Sequence, residues 1–232
     1  MISSTRKRIF IILCIIAVIC VLIRYMLFHD ALLAPQPNYQ RELGAPVLVM
    51  VYYEALCPDS KHFITKQLVP TYKAIAPLME ILLVPYGKAQ TFTNADGTYR
   101  FDCQHGPVEC QANTYHSCAI EVIEDAQARL DVVACMIRDN RLPKEALHRC
   151  AKQHNIDNID LILKCYDSTN GGELLKLNGD ATHALRPPVT FIPTITLDGS
   201  IGRQASILKN LQGEVCKIAA DTDQGKELCN NV

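Results

Sequence analysis

Val47-Leu48-Val49-Met50-Val51-Tyr52-Tyr53-Glu54-Ala55-Leu56-Cys57-Pro58-Asp59-Ser60 joins two patterns within fourteen residues. The first seven residues form a continuous apolar, β-branched run, as in a strand buried on both faces. Beyond Ser60, the residues Phe63, Ile64, Leu68, Tyr72 and Ile75 recur at helical spacing, which predicts a helix over about residues 60–76. Cys57 lies at the junction, and Pro58 suits an early helical position, where no N–H is needed. A helix start offers unpaired backbone N–H groups and the positive end of the dipole, and both favour thiolate over thiol. Thiolate is the attacking species in thiol–disulfide exchange. Cys57 is therefore the candidate nucleophile. Three residues on, where a dithiol motif would place its second cysteine, stands Ser60. It can hydrogen-bond the sulfur but cannot close a disulfide with it.

Downstream, Ile81-Leu82-Leu83-Val84-Pro85-Tyr86 reads as a second buried strand. Strand, helix, strand in that order predicts a parallel pair with a crossover. Residues 87–102 read as turns, with Asn94-Ala95-Asp96-Gly97 the strongest signal. Helical patterns then run over 108–139, 143–154, 159–166 and 174–185, a block read as an insertion. Residues 189–197 are β-rich and contain Phe191-Ile192-Pro193-Thr194-Ile195. A proline inside a strand cannot donate to the ladder, and a cis Ile192–Pro193 bond would account for it. Asp198-Gly199 is a turn signal, and a last helix is expected over 206–219. A helix-start cysteine together with such a proline loop is the arrangement of thioredoxin-like folds, in which the loop offers backbone to an extended substrate. The expected fold class is α/β, a thioredoxin-like fold with a helical, disulfide-stapled insertion over about residues 103–185.

The N-terminus differs from the rest. Arg6, Lys7, Arg8 and Arg24 stand against no acid in residues 1–24, whereas the remainder carries a net charge of −5. The basic triplet precedes an uninterrupted apolar run over residues 9–23. As a helix that run is roughly 22 Å long, short of the ~30 Å hydrocarbon core. It extends through residue 28 if Arg24 snorkels. Residues 1–34 are read as a signal-anchor or a signal peptide, 35–46 as a linker and 47–232 as the lumenal domain. A membrane contact through residues 9–28 is expected if the segment stays uncleaved. The mildly acidic body has no basic runs and no tryptophan, so no nucleic-acid partner is expected.

Of eleven cysteines, Cys14 and Cys20 lie in the apolar run and nine in the body. In an oxidising lumen the body cysteines should mostly pair. Nine is odd, so at least one is left over. With Cys57 as the reactive thiol, Cys103, Cys110, Cys118, Cys135, Cys150, Cys165, Cys216 and Cys229 are the candidates for four structural disulfides, of open connectivity.

The segment Cys103-Gln104-His105-Gly106-Pro107-Val108-Glu109-Cys110-Gln111-Ala112-Asn113-Thr114-Tyr115-His116-Ser117-Cys118 resembles the CQHG-x2-EC-x2-N-x4-C signature of the gamma-interferon-inducible lysosomal thiol reductases at every fixed position. The resemblance runs from about Val47 to Cys229. It implies a thioredoxin fold with a helical insertion and reduction of protein disulfides in an acidic lumen, with Cys57 at the place of the family's first active-site cysteine. Ser60 departs from the family's usual C-x-x-C. Read from its own residues the signature looks structural, with His105 a hydrogen-bonding residue. A zinc site of Cys103, His105, Cys110 and Cys118 lacks the C-x2-4-C pairs of structural zinc sites.

The expected function is a thiol oxidoreductase acting on disulfide-bonded protein substrates in a secretory or endolysosomal lumen, or outside the cell. Cys57 is the nucleophile, Ser60 and Pro193 flank it, and no cofactor is bound. An external small thiol serves as reductant in place of a resolving cysteine. The alternatives are a protein that retains clients as mixed disulfides or binds extended peptides, and a structural domain with a dead site.

Overall fold

A computed structural model describes residues 12–22, 24 and 44–230. The chain divides into two units, residues 1–40 and 41–232. In the first, helix α1 covers residues 12–22 and includes Arg24, with its apolar side chains exposed. Among the described residues no helix is long and apolar enough to cross a membrane. The expected anchor through residues 9–28 is therefore not supported. Residues 9–11, 23 and 25–28 lie outside the described residues, as does most of the expected linker.

The second unit is built on a three-stranded sheet of order β2-β1-β5. β1 (Val47–Tyr53) is central, parallel to β2 (Met79–Pro85) and antiparallel to β5 (Thr194–Leu197). Val51 stands beside both Leu83 and Ile195. The continuous apolar run of β1 follows from this placement: both its edges are paired and both its faces are covered. The crossover between β1 and β2 is α2 (Pro58–Phe63), a π-helical turn (Ile64–Leu68) and α3 (Val69–Ile75). The π turn comes directly ahead of Pro70, whose missing N–H interrupts the regular ladder. Phe63, Ile64, Leu68 and Ile75 all enter the main core.

Residues 87–102, expected as turns, contain a hairpin of β3 (Gln90–Thr93) and β4 (Tyr99–Asp102). Its strands are short and mostly exposed, so they lack the apolar run that marks β1. The insertion holds five helices: α4 (Pro107–Val122), α5 (Ala126–Arg138), α6 (Pro143–Gln153), α7 (Ile159–Asp167) and α8 (Thr169–His183). The single helical pattern over 108–139 is two helices, because the Asp125 carboxylate accepts from Ala128 N at 2.7 Å and starts α5 afresh. These helices enclose their own core around Cys118, Met136, Leu147 and Ile162. The expected last helix is likewise divided, into α9 (Gln204–Lys209) and α10 (Leu211–Ala219), with the Asn210 side chain capping Gly213 N at 2.9 Å. A short α11 (Asp223–Leu228) follows.

Four disulfides tie these pieces together. Cys103–Cys110 joins the end of the hairpin to the start of α4, and Cys118–Cys165 joins α4 to α7. Cys135–Cys150 joins α5 to α6, and Cys216–Cys229 closes α10 onto the end of α11.

Candidate functional site: the turn between β1 and α2

Residues 54–57 turn the chain from β1 into α2, and Cys57 N donates to Glu54 O at 3.2 Å to close the turn. Cys57 is the N-cap of α2, and its Sγ accepts from Ser60 N at 3.5 Å. On the other side Sγ lies 3.8 Å from the Ile192 carbonyl oxygen, to which a thiol proton is donated. The Ile192–Pro193 peptide is cis. Cys57, Ser60 and the Pro193 loop are thus brought together.

Two details differ from the sequence expectation. Ser60 meets the sulfur through its backbone N–H, while its hydroxyl accepts from Glu54 N at 3.3 Å. Cys57 is also less open than a bare helix mouth. It is unpaired but only 7% exposed, because the Ile192 carbonyl covers one side of the sulfur. Phe191, next along this loop, is exposed.

The turn is held from behind by one face of α4. Asn113 Oδ1 accepts from Ala55 N at 2.9 Å, and Glu109 Oε2 accepts from Leu56 N at 3.4 Å. Positions 109 and 113 are one helical turn apart and so share a face. One turn further, His116 Nδ1 lies 2.8 Å from the Tyr53 hydroxyl, and Asn140 Nδ2 donates to His116 Nε2 at 2.9 Å. Glu109, Asn113 and His116 are fully buried. A buried turn needs partners for its backbone donors, and this helix face supplies them. The signature residues are therefore the support of the Cys57 turn, a role that spacing alone does not reveal.

Glu54 completes the arrangement. Its Oε1 accepts from Lys88 N at 2.8 Å, and its Oε2 faces His105 Nδ1 at 3.4 Å. His105 Nδ1 also lies 2.6 Å from Glu109 Oε2. Gly87, at φ +64°, passes so close that a β-carbon there would collide with the Glu54 side chain. Burial holds the Glu54 carboxyl above the usual carboxylate range; the hydrogen bond from Lys88 N opposes this and the Glu109 charge adds to it.

Burial pushes the His116 imidazole down to about 3, so it stays neutral in the fold. An unfolded histidine titrates near 6.5. Its folded value is depressed, so its contribution to stability is complete above about pH 6.5 and is lost as pH falls toward 3. At pH 5 the loss is on the order of 2 kcal/mol. In His116→Gln, denaturant midpoints measured between pH 7 and pH 5 should fall less steeply than in the unaltered protein. An equal slope would show that another group carries the acid sensitivity.

Comparison with known proteins agrees with this geometry. The family described as Gamma interferon inducible lysosomal thiol reductase (GILT) matches residues 48–154. GILT-like protein 1 of Drosophila melanogaster is 35% identical over 194 residues, which cover 75% of each chain. The chain belongs to the GILT family. The gamma-interferon-inducible lysosomal thiol reductase of Mus musculus is 32% identical over 206 residues, 88% of this chain and 79% of that protein. Among solved structures, Chlamydia trachomatis DsbA superposes with a TM-score of 0.53 at 16% identity, covering 77% of this chain and 91% of that one. That likeness shows the thioredoxin-like fold. The match over 48–154 holds both the Cys57 turn and the α4 face that supports it, so in this GILT-family chain the two halves of the site fall in one matched segment.

The zinc grouping that the sequence already disfavoured has its cysteines paired. Cys103, Cys110 and Cys118 are all disulfide-bonded and offer no thiolate. His105 instead faces Glu54 and Glu109.

Proposed function

We propose that the chain is a thiol–disulfide oxidoreductase of a secretory or endolysosomal lumen, working through the single nucleophile Cys57. The observation that carries this reading is that eight of the nine body cysteines are paired in four disulfides, while Cys57, at the start of α2 and beside the cis Pro193 loop, is not. Family membership supports a disulfide substrate, since the relatives are named thiol reductases. Four disulfides support an oxidising compartment.

In the proposed cycle the Cys57 thiolate attacks one sulfur of a substrate disulfide. A Cys57–substrate disulfide forms and the other substrate sulfur leaves as thiolate. A small external thiol then attacks the Cys57 sulfur and releases the second substrate thiol. Another equivalent frees Cys57 and leaves as the oxidised small-molecule disulfide, so the two electrons come from two external thiols. The Ser60 N–H donates to the attacking sulfur throughout, and the Ile192 carbonyl takes the thiol proton's hydrogen bond in the resting state.

The same absence of a resolving cysteine favours a second reading, retention of clients as lasting mixed disulfides. Ser60→Cys distinguishes the two steps. Without external thiol, the unaltered protein should stop at a Cys57-linked adduct visible on a non-reducing gel after alkylation. Ser60→Cys should release the substrate and close a 57–60 disulfide. Turnover with external thiol that equals the thiol alone, together with a persistent adduct, would favour retention over catalysis.

A further inference from the structure

We propose that Glu54, His105 and Glu109 form a binding site for a divalent cation of the zinc class, located behind the Cys57 turn. One donor atom from each, Glu54 Oε2, His105 Nδ1 and Glu109 Oε2, lies within 4.8 Å of the others. The two contacts of Nδ1 are 3.4 Å to Glu54 and 2.6 Å to Glu109. Zinc bonds of about 2.0–2.2 Å set tetrahedral ligands about 3.3–3.6 Å apart. The 3.4 Å edge already has that length, the 2.6 Å edge opens by about 1 Å or less, and the Glu54–Glu109 edge, within 4.8 Å, closes by about 1.5 Å at most.

The second observation is the state of Glu54. It is 1% exposed, and its Oε2 makes no hydrogen bond although it points into this cluster. Buried carboxylate oxygens are normally hydrogen-bonded, paired or bound to a metal. Glu109 is fully buried as well, so two carboxylates face a single imidazole. A divalent cation would balance that excess of negative charge.

The carboxylates are also held as ligands are. In each, the other oxygen is fixed by a backbone N–H: Lys88 N to Glu54 Oε1 at 2.8 Å, and His105 N to Glu109 Oε1 at 3.0 Å. Such outer bonds orient ligating oxygens; Glu54 Oε2 accepts no hydrogen bond, and Glu109 Oε2 carries, beside its contact with His105, only a long one from Leu56 N at 3.4 Å. His105 is about one-third exposed (32%), which gives a cation an entry and leaves room for a water as fourth ligand. Mixed imidazole and carboxylate donors suit zinc better than calcium or magnesium, which take oxygen alone. A cation here would tie the end of β1 to the first turn of α4 and so brace the Cys57 turn at both walls.

The test is titration of the full-length protein with zinc chloride, followed by calorimetry. Cys14, Cys20 and Cys57 are all replaced by serine, so that no free thiol binds the metal. The expected result is one zinc per chain, with affinity lowered at least tenfold by His105→Ala and by Glu54→Gln. Cobalt should give a tetrahedral visible absorption band that both variants lose. His105→Ala is the deciding variant if Glu54→Gln fails to fold, since the imidazole, one-third exposed, is not part of the core. Two results overturn the proposal: no zinc bound once the thiols are gone, or binding that His105→Ala leaves unchanged.

Discussion

Cys57→Ala and Cys57→Ser should each lower reduction of a disulfide-bonded protein substrate to the rate given by the added small thiol alone. Loss should be complete because no other thiol stands ready to replace it. Among the described residues the only other unpaired cysteines are Cys14 and Cys20 in α1, outside the sheet unit. The two variants separate chemistry from structure. Cys57 Sγ caps α2 by accepting from Ser60 N, so alanine removes a cap as well as a nucleophile. Loss of a side-chain cap costs about 1 kcal/mol. Serine keeps an acceptor at the same place but has no thiolate to offer. Equal inactivity of the two, with a small stability deficit only in alanine, would assign the loss to exchange chemistry. Activity above background in either variant would remove Cys57 from the mechanism.

How far this site could be read without coordinates depends on how local each signal is. The β1 run and the helical spacing after Ser60 announce themselves because burial on both faces forces an uninterrupted apolar strand, and β1 is the central strand. The placement of Cys57 before Pro58 is equally local. Pro193 is legible as an anomaly, because a proline in a β-rich run conflicts with a ladder donor. By contrast, nothing local says that Asn113 accepts from Ala55 N or that Glu109 accepts from Leu56 N, since those partners are 58 and 53 residues away. The signature names these residues without giving their task. The β3–β4 hairpin was hidden for a different reason. Its strands face solvent, and Phe92 is covered by Arg100 at 4.2 Å rather than by a core. The splits at Asp125 and Asn210 were missed because each rests on a single polar side chain that caps a backbone N–H, and the apolar periodicity runs across both.

The other large effect should come from the insertion. Cys118→Ala with Cys165→Ala removes a bridge that closes a loop of sequence separation 47, and chain-entropy arguments assign such a loop about 4 kcal/mol. Removing Cys103–Cys110, with a separation of 7, should cost about 2.4 kcal/mol by the same relation. The difference is large enough to rank the two variants by their urea midpoints. The consequence reaches the active turn because α4 carries both Cys118 and the acceptors Glu109 and Asn113. If α4 loosens with its core, the Ala55 and Leu56 N–H groups lose their partners while Cys57 itself is untouched. Activity of the double variant should therefore disappear at the temperature where the insertion melts. If exchange activity survives after far-UV dichroism shows the insertion helices gone, α4 is not the support of the turn, and the Cys57 geometry must be held by the sheet and the Pro193 loop alone.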